Sequence, residues 1–239
     1  MFLTLKIKKI VNFPALVFFI LAVGMTVLFI QNMTAAAPVS APGKTYCLVI
    51  DAGHGGVDGG AIAISGAKES DINLAIALRL QKIADFYGSN TIMTRDSDKG
   101  VLEYSAGSYS EHNDLVRRVE IANSASNGVL MSIHQNFYPT AQPSGAQVLY
   151  ASSDESKMLG TITHNNMIRF LDPENRRVVA PASHIYITSN AKCPAILVEC
   201  GFMSNFSDLE KLLTNKYQTS LAAVLMASYL QYTSGASLA

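Results

Sequence analysis

Apolar residues follow two rhythms along this chain. Some form short unbroken runs rich in β-branched residues that end in glycine or polar residues; others recur every three or four positions. Unbroken runs predict strands of a sheet covered on both faces, and the second rhythm predicts amphipathic helices. Tyr46–Asp51 is the first run and breaks at Ala-Gly-His-Gly-Gly. Further strands are expected over Asn90–Thr94, Gly128–His134, Ala146–Tyr150, Ile185–Thr188 and Ala195–Glu199. The first helix is expected over Ser70–Tyr87, where Ile72, Ala75, Ile76, Leu80, Ile83 and Ala84 share one face and Gly88 supplies the stop. Others are expected over Asp114–Ser124, Glu155–Leu171, Ser207–Leu213 and Lys216–Tyr232, with Gly100–Glu111 as a polar surface loop. Strands alternating with helices predict an α/β domain, a mostly parallel twisted sheet with helices on both faces.

The N-terminus breaks this pattern. Residues 1–42 hold Lys6, Lys8 and Lys9 and no acidic residue, and Phe13–Ile30 is an uncharged stretch of 18 residues. Its length lies at the short edge of the ~17–25 residues that cross a bilayer as a helix, and basic residues ahead of it send the downstream chain outward. Thr34-Ala35-Ala36-Ala37 offers a cleavage site. Residues 1–34 therefore read as a signal peptide or an N-terminal membrane anchor, against the plainer reading of a buried core helix. Residues 35–44 read as a linker, 45–233 as the catalytic domain and 234–239 as a tail. The expected place of action is extracytoplasmic: secreted, periplasmic or anchored to the outer face of the cytoplasmic membrane.

The chain is 49% hydrophobic, 15% charged and formally neutral. Taking Lys6, Lys8 and Lys9 from the 18 basic residues leaves 15 against 18 acidic ones, a charge of −3 for the exported part. With no basic stripe, nucleic acid is not an expected partner. Cys47, Cys193 and Cys200 have apolar neighbours and no Cys-x-x-Cys spacing, so they read as free thiols.

In open α/β sheets, ligands bind at the carboxyl ends of the strands. His54 follows the first strand, His134 ends the third and Glu199 ends the last, while Glu69 opens the first helix. Two imidazoles and a carboxylate suit a hydrolytic zinc site with one position left for water. A second carboxylate, Glu199, suits a general base. The intervals of 15 residues from His54 to Glu69 and 65 from Glu69 to His134 match no compact zinc motif. The same residues also read as a turn histidine, a strand-end histidine and two glutamates serving helix N-termini.

Four ordered motifs carry a resemblance. Ile50-Asp-Ala-Gly-His-Gly-Gly-Val-Asp-Gly-Gly-Ala61, Lys68-Glu69, Met131-Ser-Ile-His-Gln-Asn136 and Leu197-Val-Glu-Cys-Gly-Phe-Met-Ser-Asn205 resemble the zinc-dependent type 3 family of N-acetylmuramoyl-L-alanine amidases, over about residues 45–233. The resemblance implies one Zn2+ held by His54, Glu69 and His134, with Glu199 as the catalytic glutamate. It implies peptidoglycan as the substrate and hydrolysis of the amide between N-acetylmuramic acid and L-alanine. Lys192-Cys193-Pro194-Ala195 and Gly145–Tyr150 are similar to the sporulation branch, which prepares the muramic lactam of spore cortex. Gln135 and Cys200 depart from the family pattern and bear on substrate fit. The 64 residues between His134 and Glu199 are too few for the insertion that occludes some division amidases.

Lesser readings complete the picture. Asn136 is a substrate-binding candidate or a strand-end cap. Asp51 and Asp58 are candidates to orient the metal histidines or to stabilise turns. Gly53, Gly55 and Gly56 allow a tight turn at the site. Arg95 and Arg117 read as structural ion partners, His112, His164 and His184 as surface residues, and Tyr104 and Tyr109 as candidates to line a glycan groove. Two other functions compete with amide hydrolysis: a zinc exopeptidase of carboxypeptidase type, which would need an arginine clamp, and an idle wall-binding or activating protein. An activating protein partner is left open.

Overall fold

The computed structural model describes residues 45–102 and 108–235. The expected export segment, the linker, Tyr104 and the last four residues lie outside the described residues. Among the described residues no helix is long and apolar enough to cross a membrane.

Among the described residues, six strands and six helices build the domain. In chain order they are β1 (Cys47–Ala52), α1 (Glu69–Phe86), β2 (Asn90–Met93), α2 (Glu111–Ser124), β3 (Gly128–Asn136), β4 (Gln147–Tyr150), α3 (Asp154–Leu171), β5 (Ala180–Pro181), α4 (Tyr186–Asn190), β6 (Ala195–Phe202), α5 (Phe206–Leu212) and α6 (Asn215–Thr233). They form one sheet in the order β2-β1-β3-β6-β4-β5. Every neighbouring pair is parallel except β4 with β6. The expected mostly parallel sheet is the observed one.

The unbroken apolar runs are explained by burial on both faces. Along β3, Val129, Met131 and Ile133 join a core beneath α1, α3 and α6, whereas Leu130 joins a second core beneath α2 and α4. The second layer is thinner, because α4 has only five residues. Alternation then places His134 and Glu199 on that thinner side. The register pairs these two directly, and directly paired residues share a face.

Local chemistry sets the boundaries. Ser110, Ser153, Asn205 and Thr214 each accept a backbone N–H from the first turn of the adjoining helix. Gly88, at φ +66°, ends α1 where the sequence predicts it.

One expected strand is a helix. Ile185–Thr188 lies across the start of α4, and the edge strand is instead Ala180–Pro181. The Thr188 hydroxyl donates to Ala182 O and Ile185 O, and the Ser189 hydroxyl donates to Ser183 O and Ile185 O. These local bonds draw the segment into a turn, which a short β-branched run does not reveal.

Candidate metal centre and active site

The site is assembled at the carboxyl ends of β1, β3 and β6. Beyond β1 the chain passes Gly53 into His54, whose φ is +60°. A non-glycine residue there is strained, and the neighbours hold it: Arg118 Nη2 donates to His54 O at 2.7 Å. Gly53 is required by proximity, since a Cβ on it would lie 2.3 Å from the His134 ring. Gly60, at φ +64°, is also confined, since a Cβ there would meet Glu69 Oε2 and His54 Cδ2 at 2.7 Å.

Glu69 is the first residue of α1 and is 4% exposed. Its carboxylate does not cap its own helix. Oε2 accepts from Ala61 N at 3.0 Å, and Oε1 accepts from Gln135 N at 3.0 Å and Asn73 Nδ2 at 3.3 Å. Oε1 also lies 3.0 Å from His134 Nδ1 and 3.3 Å from His54 Nε2. The two imidazole rings meet edge to face, with centroids 4.9 Å apart. One ligand atom each from His54, Glu69 and His134 falls within 4.8 Å of the others. Residues separated by up to 80 positions thus share one point, with a nitrogen, oxygen and nitrogen set suited to zinc.

Asp58 holds the other side of His54. Its Oδ2 lies 2.7 Å from His54 Nδ1, and its Oδ1 accepts from Gly60 N at 3.0 Å. Tyr109 donates to Asp58 Oδ2 at 3.2 Å, which ties it to the support behind His54. A carboxylate behind a ligating histidine fixes its ring and tautomer.

Electrostatics single out the same residues. Burial opposes a charge on His54, but hydrogen bonds to Asp58 and Glu69 outweigh it and push the imidazole up to about 10. Burial likewise opposes charge on Glu69, yet contacts with His134 and His54 hold its carboxyl far below the usual range. Glu199 behaves in the opposite way. Burial raises its carboxyl above the ordinary value, and Glu69 reinforces the shift against the imidazoles and Arg177. Its Oε2 is buried and has no hydrogen-bond partner among the described residues. An unsatisfied carboxylate oxygen costs about 1–3 kcal/mol or more, so its retention beside His134 points to use.

Several expectations are corrected. Asp51 touches neither histidine. It is fully buried between Thr94, Ser132 and Arg118, which outweigh the cost of burial and keep it ionised. Arg118, missed in the sequence, links Asp51 to Asp114 and donates to Ala52 O and His54 O. Among the described residues Arg95 pairs with no carboxylate; it donates to the carbonyls of Ala52, Gly53, Ser70 and Ser97. Arg117 forms an exposed pair with Glu120. Gln135 and Cys200 are buried, Gln135 Nε2 donating to Asn73 Oδ1, so neither faces a substrate. His112 and His184 are exposed, whereas His164 is buried with Nε2 on Arg177 O. Asn136 sits half-buried at the end of β3, where its carbonyl accepts from Met203 N. The cysteines are free.

Comparison with known proteins agrees with this geometry. The family described as Amidase_3, N-acetylmuramoyl-L-alanine amidase, matches residues 48–228. A germination-specific N-acetylmuramoyl-L-alanine amidase of Bacillus subtilis is 33% identical over 208 residues, covering 84% of this chain and 86% of the relative. The CwlD amidase of Clostridioides difficile, solved in complex with the GerS lipoprotein, aligns with a TM-score of 0.73 at 30% identity, over 80% of this chain and 100% of that one. The amidase AmiC2 of Nostoc punctiforme aligns with a TM-score of 0.68 at 29% identity, over 80% and 98%.

Proposed function

This chain belongs to the N-acetylmuramoyl-L-alanine amidase family, and from that premise we propose that His54, Glu69 and His134 hold one zinc ion while Glu199 moves the proton. The observation that carries this reading is the convergence of three donor atoms within 4.8 Å beside a buried carboxylate oxygen that has no partner among the described residues. The donor set fits the ion: two nitrogens and one oxygen, with His54 held from behind by Asp58 and Glu69 held by Ala61, Asn73 and Gln135.

Zinc, when bound, lowers the pKa of a water towards ~7 and polarises the scissile carbonyl. Glu199 accepts the proton from the attacking water and returns it to the departing L-alanine amine. Its raised affinity for protons suits both halves of that task, because the carboxylate that takes the proton must hold it until the amine departs. The Asp58 carboxylate keeps His54 Nε2 turned to the metal. Asn136 stands next to the cluster on β3 and is assigned to substrate contact.

The substrate is the amide between N-acetylmuramic acid and the L-alanine of the peptidoglycan stem. Likeness to the germination-specific relative supports spore cortex as the setting and sporulation as the occasion. Residues 45–233 are assigned to the catalytic domain, 234–239 to a tail, and 1–34 to export or anchoring through the linker 35–44. The basic N-terminus and the apolar run of Phe13–Ile30 support action outside the cytoplasm.

Mass spectrometry of purified peptidoglycan after incubation with the protein tests the reading. Intact stem peptides beginning at L-alanine are expected, and a chelator abolishes them until zinc is restored. Trimming of single terminal residues would instead establish an exopeptidase. Binding without any released product would establish an idle wall-binding protein.

A further inference from the structure

Two adjacent arginines beyond α3 are treated differently by the fold. Arg176 is exposed and pairs with Glu174 at 3.1 Å, an ordinary solvated contact. Arg177 is half-buried and forms no ion pair with any described residue. Its Nε and Nη2 both donate to the neutral amide oxygen of Gln147. The guanidinium lies over the Phe202 ring, with Cζ 4.9 Å from the centroid.

The backbone of Arg177 is pinned on both sides by buried side chains. Its N–H donates to Asn175 Oδ1 at 3.0 Å, and its C=O accepts from His164 Nε2 at 2.8 Å. Asn175 is itself tied to Ala146 O at 2.8 Å. Two buried polar residues, 9% and 4% exposed, thus hold one arginine in one place. That place is defined by the sheet. Gln147 pairs with Glu199 across β4 and β6, so both side chains lie on one face. An open groove of about 630 Å³ beside it is lined by Gly145, Gln147, Asn175, Arg177 and Val178.

Resting on the amidase reading above, we propose that Arg177 is a specificity residue that receives a carboxylate of the stem peptide as the amide lies against Glu199. A guanidinium bound only to a neutral amide and an aromatic face keeps unused charge and donor capacity, and a carboxylate uses both. In the uncut substrate the glycan arm carries no ionised group, whereas the peptide arm carries carboxylates. Arg177 therefore marks the peptide side of the site, with Phe202 and Gln147 orienting the guanidinium.

Full-length zinc-loaded protein and its Arg177→Gln and Arg177→Lys variants are assayed on two muropeptides, one with free stem carboxylates and one with them amidated. Arg177→Gln raises KM for the free form by about tenfold or more, the loss of one charged hydrogen bond, while kcat changes by less than about twofold. On the amidated form wild type and Arg177→Gln have the same KM, and Arg177→Lys recovers part of the preference. An equal loss on both substrates, or a fall in kcat instead of a rise in KM, overturns the inference and leaves the amidase reading standing. Failure of the wild type to cut either substrate sinks that reading and the inference with it.

Discussion

Asp51 and His54 lie three residues apart at the end of β1, yet the clusters they belong to balance charge in opposite ways. Around Asp51, two carboxylates (Asp51 and Asp114) are joined by the Arg118 guanidinium, and Arg95 adds a second positive charge close by. Thr94 donates to the same Asp51 oxygen as Arg118, and Ser132 donates to the other. That cluster is neutral without any ion. Around His54, the carboxylates of Asp58 and Glu69 contact two imidazoles, Glu199 lies within their electrostatic reach, and among the described residues no guanidinium is close enough to pair. The protein can supply positive charge there only by protonating a histidine, which is why His54 holds its proton to about pH 10. A divalent cation bound there would take the place of that borrowed proton. Buried charge by itself therefore does not mark a site; charge left unbalanced by the protein does.

Separating chemistry from stability is the strongest way to break the comparison. Glu199→Gln is expected to lower the rate of stem-peptide release by about 10²–10⁴-fold, the worth of a general acid–base, with zinc content and melting temperature unchanged or higher. Loss of zinc in that variant would place Glu199 among the ligands instead. Arg118→Met should do the reverse and destabilise the fold by about 3–5 kcal/mol, because Asp51 and Asp114 are left buried and unpaired. Urea unfolding measures this. A loss below about 1 kcal/mol would mean that the Asp51 cluster is not the structural one.

Asp58→Asn tests how far the support behind His54 extends. Zinc affinity, measured by competition with a chromogenic chelator, is expected to fall by about 10–100-fold while the fold is kept. The smallest effect is on pH dependence. In chelator-treated protein the raised pKa of His54 contributes stability that is fully present below its ordinary value of 6.5 and is lost as pH climbs towards about 10. Zinc binds the neutral imidazole, so this decline should be absent from the zinc-loaded protein, and zinc affinity should rise with pH over the same window. Melting curves from pH 6 to 10, with and without zinc, compare the two. Parallel declines would show that His54 is not a ligand.

Much of this molecule is legible in its sequence because backbone geometry writes local periods into it. The apolar runs of β1, β3 and β6 and the helical spacing of Ile72, Ile76 and Leu80 follow from burial on a sheet and on a helix face. The placement of His54, His134 and Glu199 at strand ends follows from the same reading, and the four motifs identify the family. Local pattern fails where local bonds compete, as at Ile185–Thr188, whose neighbouring hydroxyls turn an apparent strand into α4.

Partnership, by contrast, was settled by the folded chain alone. Folding selected Asp58 over Asp51 behind His54, made Arg118 the centre of one cluster, buried Gln135 and Cys200, and gave His164 an arginine to hold. None of these choices leaves a period in the chain. They depend on which strands become neighbours, in what register, and on contacts between residues as far apart as Asp51 and Arg118, where only distance in space sets the energy.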